Sequence, residues 1–174
     1  MPLSVDELIE KAKEQRGRKR YEEALVSALA AAEQDDENSE AWWQVALSRS
    51  ALGDSKNTII ALRKTVELNQ GASNAWARLG DLLLKEGETE EAKDAFDWAL
   101  IYDSEQTTAL EGMSAIYAEE NDEDQDEDEI SVLERIERLS GLSKFQINRF
   151  GILHYRNKRN HEAIRCWKME VWNA

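Results

Sequence analysis

NAWARLGDLLLKEGETEEAKDAFDWALIYD, residues 74–103, lies without a gap over EAWWQVALSRSALGDSKNTIIALRKTVELN, residues 40–69, at an offset of 34. In that register Trp42 matches Trp76, Val45 matches Leu79, Ala46 matches Gly80, Gly53 matches Gly87, Thr58 matches Ala92 and Leu62 matches Phe96. One further step back brings Leu8, Ala24, Ala28 and Ala31 into line. Self-similarity at such a period marks an array of repeated supersecondary units. Each unit holds two apolar stripes of helical spacing split by a short Gly-Asp or Gly-Glu turn, so each is expected to be a pair of antiparallel helices. Ala24, Ala46, Gly80 and Ala92 would let two helices approach closely, with a large Trp or Phe of the partner helix in the adjacent groove. A single pair cannot bury its apolar face alone, so the pairs must stack.

Composition agrees with an all-α chain. The 174 residues are 41% apolar, with one proline and eight glycines, which is enough for a core and too little turn material for a sandwich or barrel. A net charge of −14 argues against nucleic acid as the main partner, because phosphate binding needs clustered Lys and Arg. The charge is uneven. Residues 1–143 hold 15 basic and 34 acidic side chains, whereas 144–174 hold 7 basic ones against Glu162 and Glu170. The N-terminus, MPLSVDELIEKAKEQ, lacks the apolar stretch of a signal peptide. No window approaches the ~18 apolar residues of a membrane span, and Cys166 is a single cysteine. A cytoplasmic protein is the expectation.

Following the register forward locates an insertion. Leu110, Met113 and Tyr117 continue the period, but Leu133, Ile136 and Leu139 lie 37 residues beyond Phe96, Ala99 and Tyr102. The shift persists through Phe150-Gly151, Ala163 and Trp167, so three extra residues lie between Tyr117 and Leu133. That interval contains EENDEDQDEDE, residues 119–129, with nine carboxylates in eleven residues. The run is expected to be an enlarged turn inside the fourth unit, not a linker. Its like charges repel within a Debye length of about 8 Å, which predicts an extended, mobile loop, with room for some of its residues to cap or extend the flanking helices. The units then span about residues 5–38, 39–72, 73–106, 107–143 and 144–174 of a single domain covering 1–174.

Trp76-x-x-Leu79-Gly80-x-x-Leu83 followed by Ala92-x-x-x-Phe96 resembles the tetratricopeptide repeat, with Leu83 where that pattern usually has Tyr. In the first unit Leu8 replaces the aromatic residue, and Gly17 does not align with Gly53. The resemblance implies a right-handed superhelix of stacked antiparallel helix pairs whose first helices line an inner groove. The groove positions would be Ile9 and Lys13, then Trp43, Gln44 and Leu47, then Arg78, Asp81, Leu84 and Lys85. Ala115, Arg149, Ile152 and Tyr155 would continue the row. Trp42 is expected in the core by its match to Trp76, and Trp43, about 100° further round the helix, in the groove. An exposed Trp beside Leu47, with Arg78 and Asp81 nearby, is the mix of anchor and polar selectors expected of a peptide site. Two known functional patterns of the family are not matched. The chaperone-tail carboxylate clamp finds only Ile9, Lys13, Gln44, Asn74 and Arg78, and the asparagine ladder of the sugar-transferase superhelix is replaced by Glu10, Gln44, Arg78, Gly112 and Arg149.

Site chemistry of other kinds is not evident. An EF-hand loop counted from Asp122 would place Glu127 and Leu133 where Gly and a bidentate Glu are needed. His154, His161 and Cys166 lack zinc spacing. No phosphate loop and no GxSxG turn occurs, so neither enzyme activity nor a cofactor is expected. The basic turns RGRKRY, from Arg16, and YRNKRN, from Tyr155, occupy corresponding connections in the first and last units. The expected function is a non-catalytic scaffold that binds a protein or peptide segment in its groove. The alternatives are an N-terminal adaptor of a longer protein, a homodimer through the uncapped C-terminal helix with Trp167 and Val171 at its face, and a regulatory module that contacts nucleic acid through its basic C-terminal end.

Overall fold

The computed structural model describes residues 2–172, with backbone alone for 170–172, so the Val171 side chain lies outside the described residues. The described residues form ten α-helices and no strand, in two compact units, residues 1–102 and 103–174. The first unit contains α1 (Val5–Gly17), α2 (Tyr21–Gln34), α3 (Ser39–Ala51), α4 (Ser55–Leu68), α5 (Ser73–Glu86) and α6 (Thr89–Tyr102). The second contains α7 (Thr107–Glu120), α8 (Asp126–Leu139), α9 (Lys144–Arg156) and α10 (Asn160–Trp172). Consecutive helices pack as pairs, α1 with α2, α3 with α4, α5 with α6, α7 with α8 and α9 with α10.

Local chemistry sets the ends of these helices. Ser4 and Glu7 form a capping box at the start of α1, and Ser143 and Gln146 form another at α9. Asn38 and Asp54 cap α3 and α4 by accepting from Ala41 and Asn57 N–H. Within each pair the turn passes through a left-handed residue. These are Lys19, Gly53, Gly87 and Asn121, spaced by 34, and Lys158, 37 further on. The true partner of Gly53 in the first unit is therefore Lys19, with φ +60°, and not Gly17. The turn geometry recurs even where the residue that favours it does not.

Packing follows the small-against-large rule. A Cβ on Gly80 would lie 2.6 Å from the Phe96 ring, and one on Gly151 would collide with Trp167, its counterpart in the second unit. In the first pair both partners are small, since Ala12 and Ala28 are fully buried. The tryptophan at the head of the motif differs from expectation. Trp42 and Trp76 are only half-buried, because each indole N–H needs an acceptor and finds it in the preceding loop, on Asp36 O at 2.9 Å and Gln70 O at 2.8 Å.

The acidic run is also corrected. Residues 119 and 120 end α7, Glu123–Gln125 form one 3-10 turn, and Asp126 to Glu129 are the first turn of α8. The three inserted residues are that 3-10 turn, since α8 begins 37 residues after α6 while α10 begins 34 after α8. An extended loop does not form, for two reasons. Four carboxylates sit at the positive end of the α8 dipole, and Asp126 and Glu129 are buried against arginines.

Candidate functional site

The first helices α1, α3 and α5 bring part of the expected groove together in the first unit. Trp43 is half-buried on α3, and the Arg78 guanidinium of α5 lies over its ring, 5.8 Å from the centroid. Beside them is a cavity of about 230 Å³, lined by Leu47, Arg78, Asp81 and Lys85 together with Leu82, Leu62 and Thr58. Asp81 and Lys85, one helical turn apart, pair at 2.7 Å. Leu84 is half-buried on α5 but does not line this cavity, where Leu82 stands instead.

Gln44 takes a different place from Trp43. It is 2% exposed, accepts from Arg16 Nη1 at 2.8 Å and donates to Glu40 Oε1 at 2.8 Å. A neutral amide with one acceptor and one donor end bridges a cation and an anion across α1 and α3. Ile9 is buried, and Lys13 is engaged by Glu10 at 2.9 Å and Glu40 at 3.2 Å. Arg16 was not among the expected groove residues. It is half-buried, and burial together with the like charge of Arg78 pushes its pKa down, with Glu40 opposing. Among the described residues neither Arg16 nor Arg78 has a carboxylate within ion-pair distance. Two arginines that repel each other, one of them over the Trp43 ring, leave a positive spot at that indole face. That arrangement can hold an anion and an apolar side chain together.

The remaining expected positions belong to the second unit. Tyr155 is exposed on α9 and tilts toward Trp167, with ring centroids 6.2 Å apart. Ala115 and Ile152 are also exposed. Arg149 is 12% exposed and holds Glu129, itself 2% exposed, through Nε and Nη2 at 2.7 and 2.6 Å. The Glu129 hydrogen bond raises the Arg149 pKa further above its ordinary value, against the opposing effect of burial. Arg156 pairs with Asp126 at 2.8 Å, Arg159 with Glu127 at 2.9 Å, and both Arg149 and Arg156 donate to Asn121 Oδ1. The acidic run and the basic YRNKRN turn are therefore partners, with Asn121 as the shared acceptor. The only sequence signal for this was the opposite sign of two segments about 30 residues apart. His154 is buried on α9 against Phe150, with ring centroids 4.3 Å apart, and its Nδ1 has no partner. Burial, with Arg159 adding to it, pushes the His154 pKa down. The described residues contain no group of His, Cys, Asp and Glu arranged to hold a metal. None of their helices is long and apolar enough to cross a membrane.

Residues 73–103, which form α5, its αL turn at Gly87 and α6, match the sequence model of the tetratricopeptide repeat. One tetratricopeptide repeat is therefore present at residues 73–103. Similar solved structures carry the same fold at low identity. MamA is 18% identical with a TM-score of 0.74, covering 92% of each chain. YrrB, "a TPR protein with an unusual peptide-binding site", is 15% identical with a TM-score of 0.75, covering 94% of this chain and 83% of its own. PilF of Pseudomonas aeruginosa is 17% identical with a TM-score of 0.69, covering 98% and 76%. No curated protein sequence matches the chain.

Proposed function

We propose that this chain is a non-catalytic, cytoplasmic scaffold that holds an acidic peptide segment of a protein partner along α3 and α5. The observation that carries the reading is Arg78 over the Trp43 ring beside the cavity at Leu47, with the charge of Arg16 near Arg78 and no carboxylate within ion-pair distance of either among the described residues. An aspartate, a glutamate or a terminal carboxylate would sit between the arginines. An apolar side chain would enter the cavity, with Asp81 and Lys85 at its edge as polar selectors. Exposed charges are worth about 0–1 kcal/mol each, so the apolar anchor would hold and the arginines would select. The likeness to YrrB, a peptide-binding relative by fold, is in keeping with this reading.

Selection from a random peptide library on the purified chain tests it. Enrichment of peptides that combine an acid with a large apolar residue, abolished by Arg78→Glu with helicity intact, is expected. Peptides retained equally by wild type and Arg78→Glu would refute it. A nucleic-acid role for the basic C-terminal end is disfavoured by the engagement of Arg149, Arg156 and Arg159 with the chain's own carboxylates. A homodimer or adaptor contact through α10 has one observation in its favour, the exposed Ile164 and Met169. Light scattering of the intact chain beside Ile164→Lys decides it, since an unchanged monomer in both dismisses the dimer.

A further inference from the structure

A buried amide stands between Arg16 and an acid that could cancel its charge. Gln44, 2% exposed on α3, accepts from Arg16 Nη1 at 2.8 Å and donates through Nε2 to Glu40 Oε1, also at 2.8 Å. A guanidinium only donates and a carboxylate only accepts, so the amide serves both neighbours in a single orientation, oxygen toward Arg16. Glu40 is occupied further by Lys13 at 3.2 Å. Its charge still reaches Arg16, where it opposes the effects of burial and of Arg78 on the guanidinium pKa. Yet among the described residues no carboxylate lies within ion-pair distance of Arg16.

The repeat shows what other residue types do at this position. Glu10 occupies it one unit earlier and takes a cation of its own helix, Lys13, at 2.9 Å. An acid at position 44 would take Arg16 in the same way. An apolar residue there would leave Arg16 and Glu40 with nothing between them, and they would pair directly. A direct pair would also link α1 to α3, with both groups charged. Joining the two helices therefore does not require the amide, whereas keeping Arg16 and Glu40 apart does. We propose that Gln44 is the positioning residue of the groove: its amide holds the Arg16 guanidinium and withholds the Glu40 carboxylate from it. The charge of Arg16, near that of Arg78, then stays open to an acidic side chain of the bound segment. This rests on the acidic-segment reading of the groove and explains what keeps that site from neutralising itself.

The test is a titration of the intact, ¹⁵N-labelled chain with acetyl-Asp-Leu-Asp-amide, read at the Trp43 indole N–H signal. Acetyl-Asn-Leu-Asn-amide is the neutral control, and the wild type should prefer the acidic peptide. Gln44→Met, similar in volume but without the amide, should weaken the acidic peptide by about tenfold and affect the neutral one little. The double variant Gln44→Met, Glu40→Gln should recover most of the loss, because no carboxylate remains there to take Arg16. Removing a neighbouring acid would not rescue a merely structural role. Full affinity in Gln44→Met, or a loss that the double variant does not recover, would overturn the proposal and leave the groove reading standing. A wild type without preference for the acidic peptide would overturn both. Glu40→Gln alone, at an exposed side chain, decides the matter should Gln44→Met lose helicity. A gain in acidic-peptide affinity below about threefold is expected from one exposed charge, and a larger gain would mean that Glu40 already holds Arg16, against the proposal.

Discussion

Replacing Glu129 by leucine should destabilise the second unit severely, while the double variant Glu129→Leu, Arg149→Met should recover most of the loss. The structure sets the magnitude. Arg149 and Glu129 form a two-point pair at 2.6 and 2.7 Å with side chains only 12% and 2% exposed. Removing one partner of such a pair leaves a desolvated charge and costs about 3–5 kcal/mol. Arg149 keeps a hydrogen bond to Asn121 Oδ1 at 2.7 Å and the nearby charge of Asp126, which places the expected cost at the lower end, about 3 kcal/mol. With a urea m-value of about 2 kcal/mol/M, the midpoint should fall by about 1.5 M. Exchanging both partners for apolar residues of similar volume removes the desolvation cost together with the attraction, and is often neutral. The assay is urea unfolding followed by far-ultraviolet circular dichroism, with hydrogen exchange at α8 and α9 to locate the change. A single variant within 0.5 kcal/mol of wild type, or a double variant as unstable as the single one, would refute the argument, the first limit being about the scatter of ordinary surface substitutions.

Three further outcomes follow from the same geometry. Lys19→Gly and Lys158→Gly should each stabilise the chain by about 0.5–1 kcal/mol in thermal unfolding, because both positions have positive φ and glycine adopts it without the Cβ penalty. Gly80→Ala should lower stability by about 1–2 kcal/mol despite alanine's better helix propensity, since its Cβ would meet the Phe96 ring; a Phe96→Leu background should relieve part of that loss. His154 has a depressed pKa in the folded chain, so the unfolded chain binds the proton more readily. Stability is then fully present above the unfolded value of about 6.5 and is lost as pH falls from there through the folded value. His154→Phe should flatten that part of the pH–stability profile, and an unchanged slope would contradict the assignment.

The repeat, the helix pairs and the site of the insertion were legible because each rests on spacing. Apolar residues recur with helical period, small residues face large ones, and a shift from 34 to 37 marks three added residues wherever the matches resume. The nearness of Arg78 to Trp43, and of Leu47 to Arg78, Asp81 and Lys85 around one cavity, was legible for the same reason, since register sets which faces of α3 and α5 meet. Gln44 shares that register yet is buried, because it bridges Arg16 and Glu40 across two helices. Arg16 itself went unread, being placed in a basic turn by sequence and brought onto Gln44, near the charge of Arg78, by the packing of α1 on α3.

The acidic run shows where the boundary falls. Sequence alone determined an all-α array of helix pairs with an insertion between Tyr117 and Leu133, because periodicity is local information carried by neighbouring turns of one helix. Only the tertiary structure decided that the insertion is a single 3-10 turn followed by two carboxylates, Asp126 and Glu129, that are buried and paired. Read by itself, a string of like charges predicts repulsion and an extended loop. Folding brings Arg149 and Arg156 from the next helix pair onto the buried Glu129 and Asp126, with Arg159 on the exposed Glu127, and at a few ångströms in a partly dry interior the first two attractions exceed the repulsion along the chain.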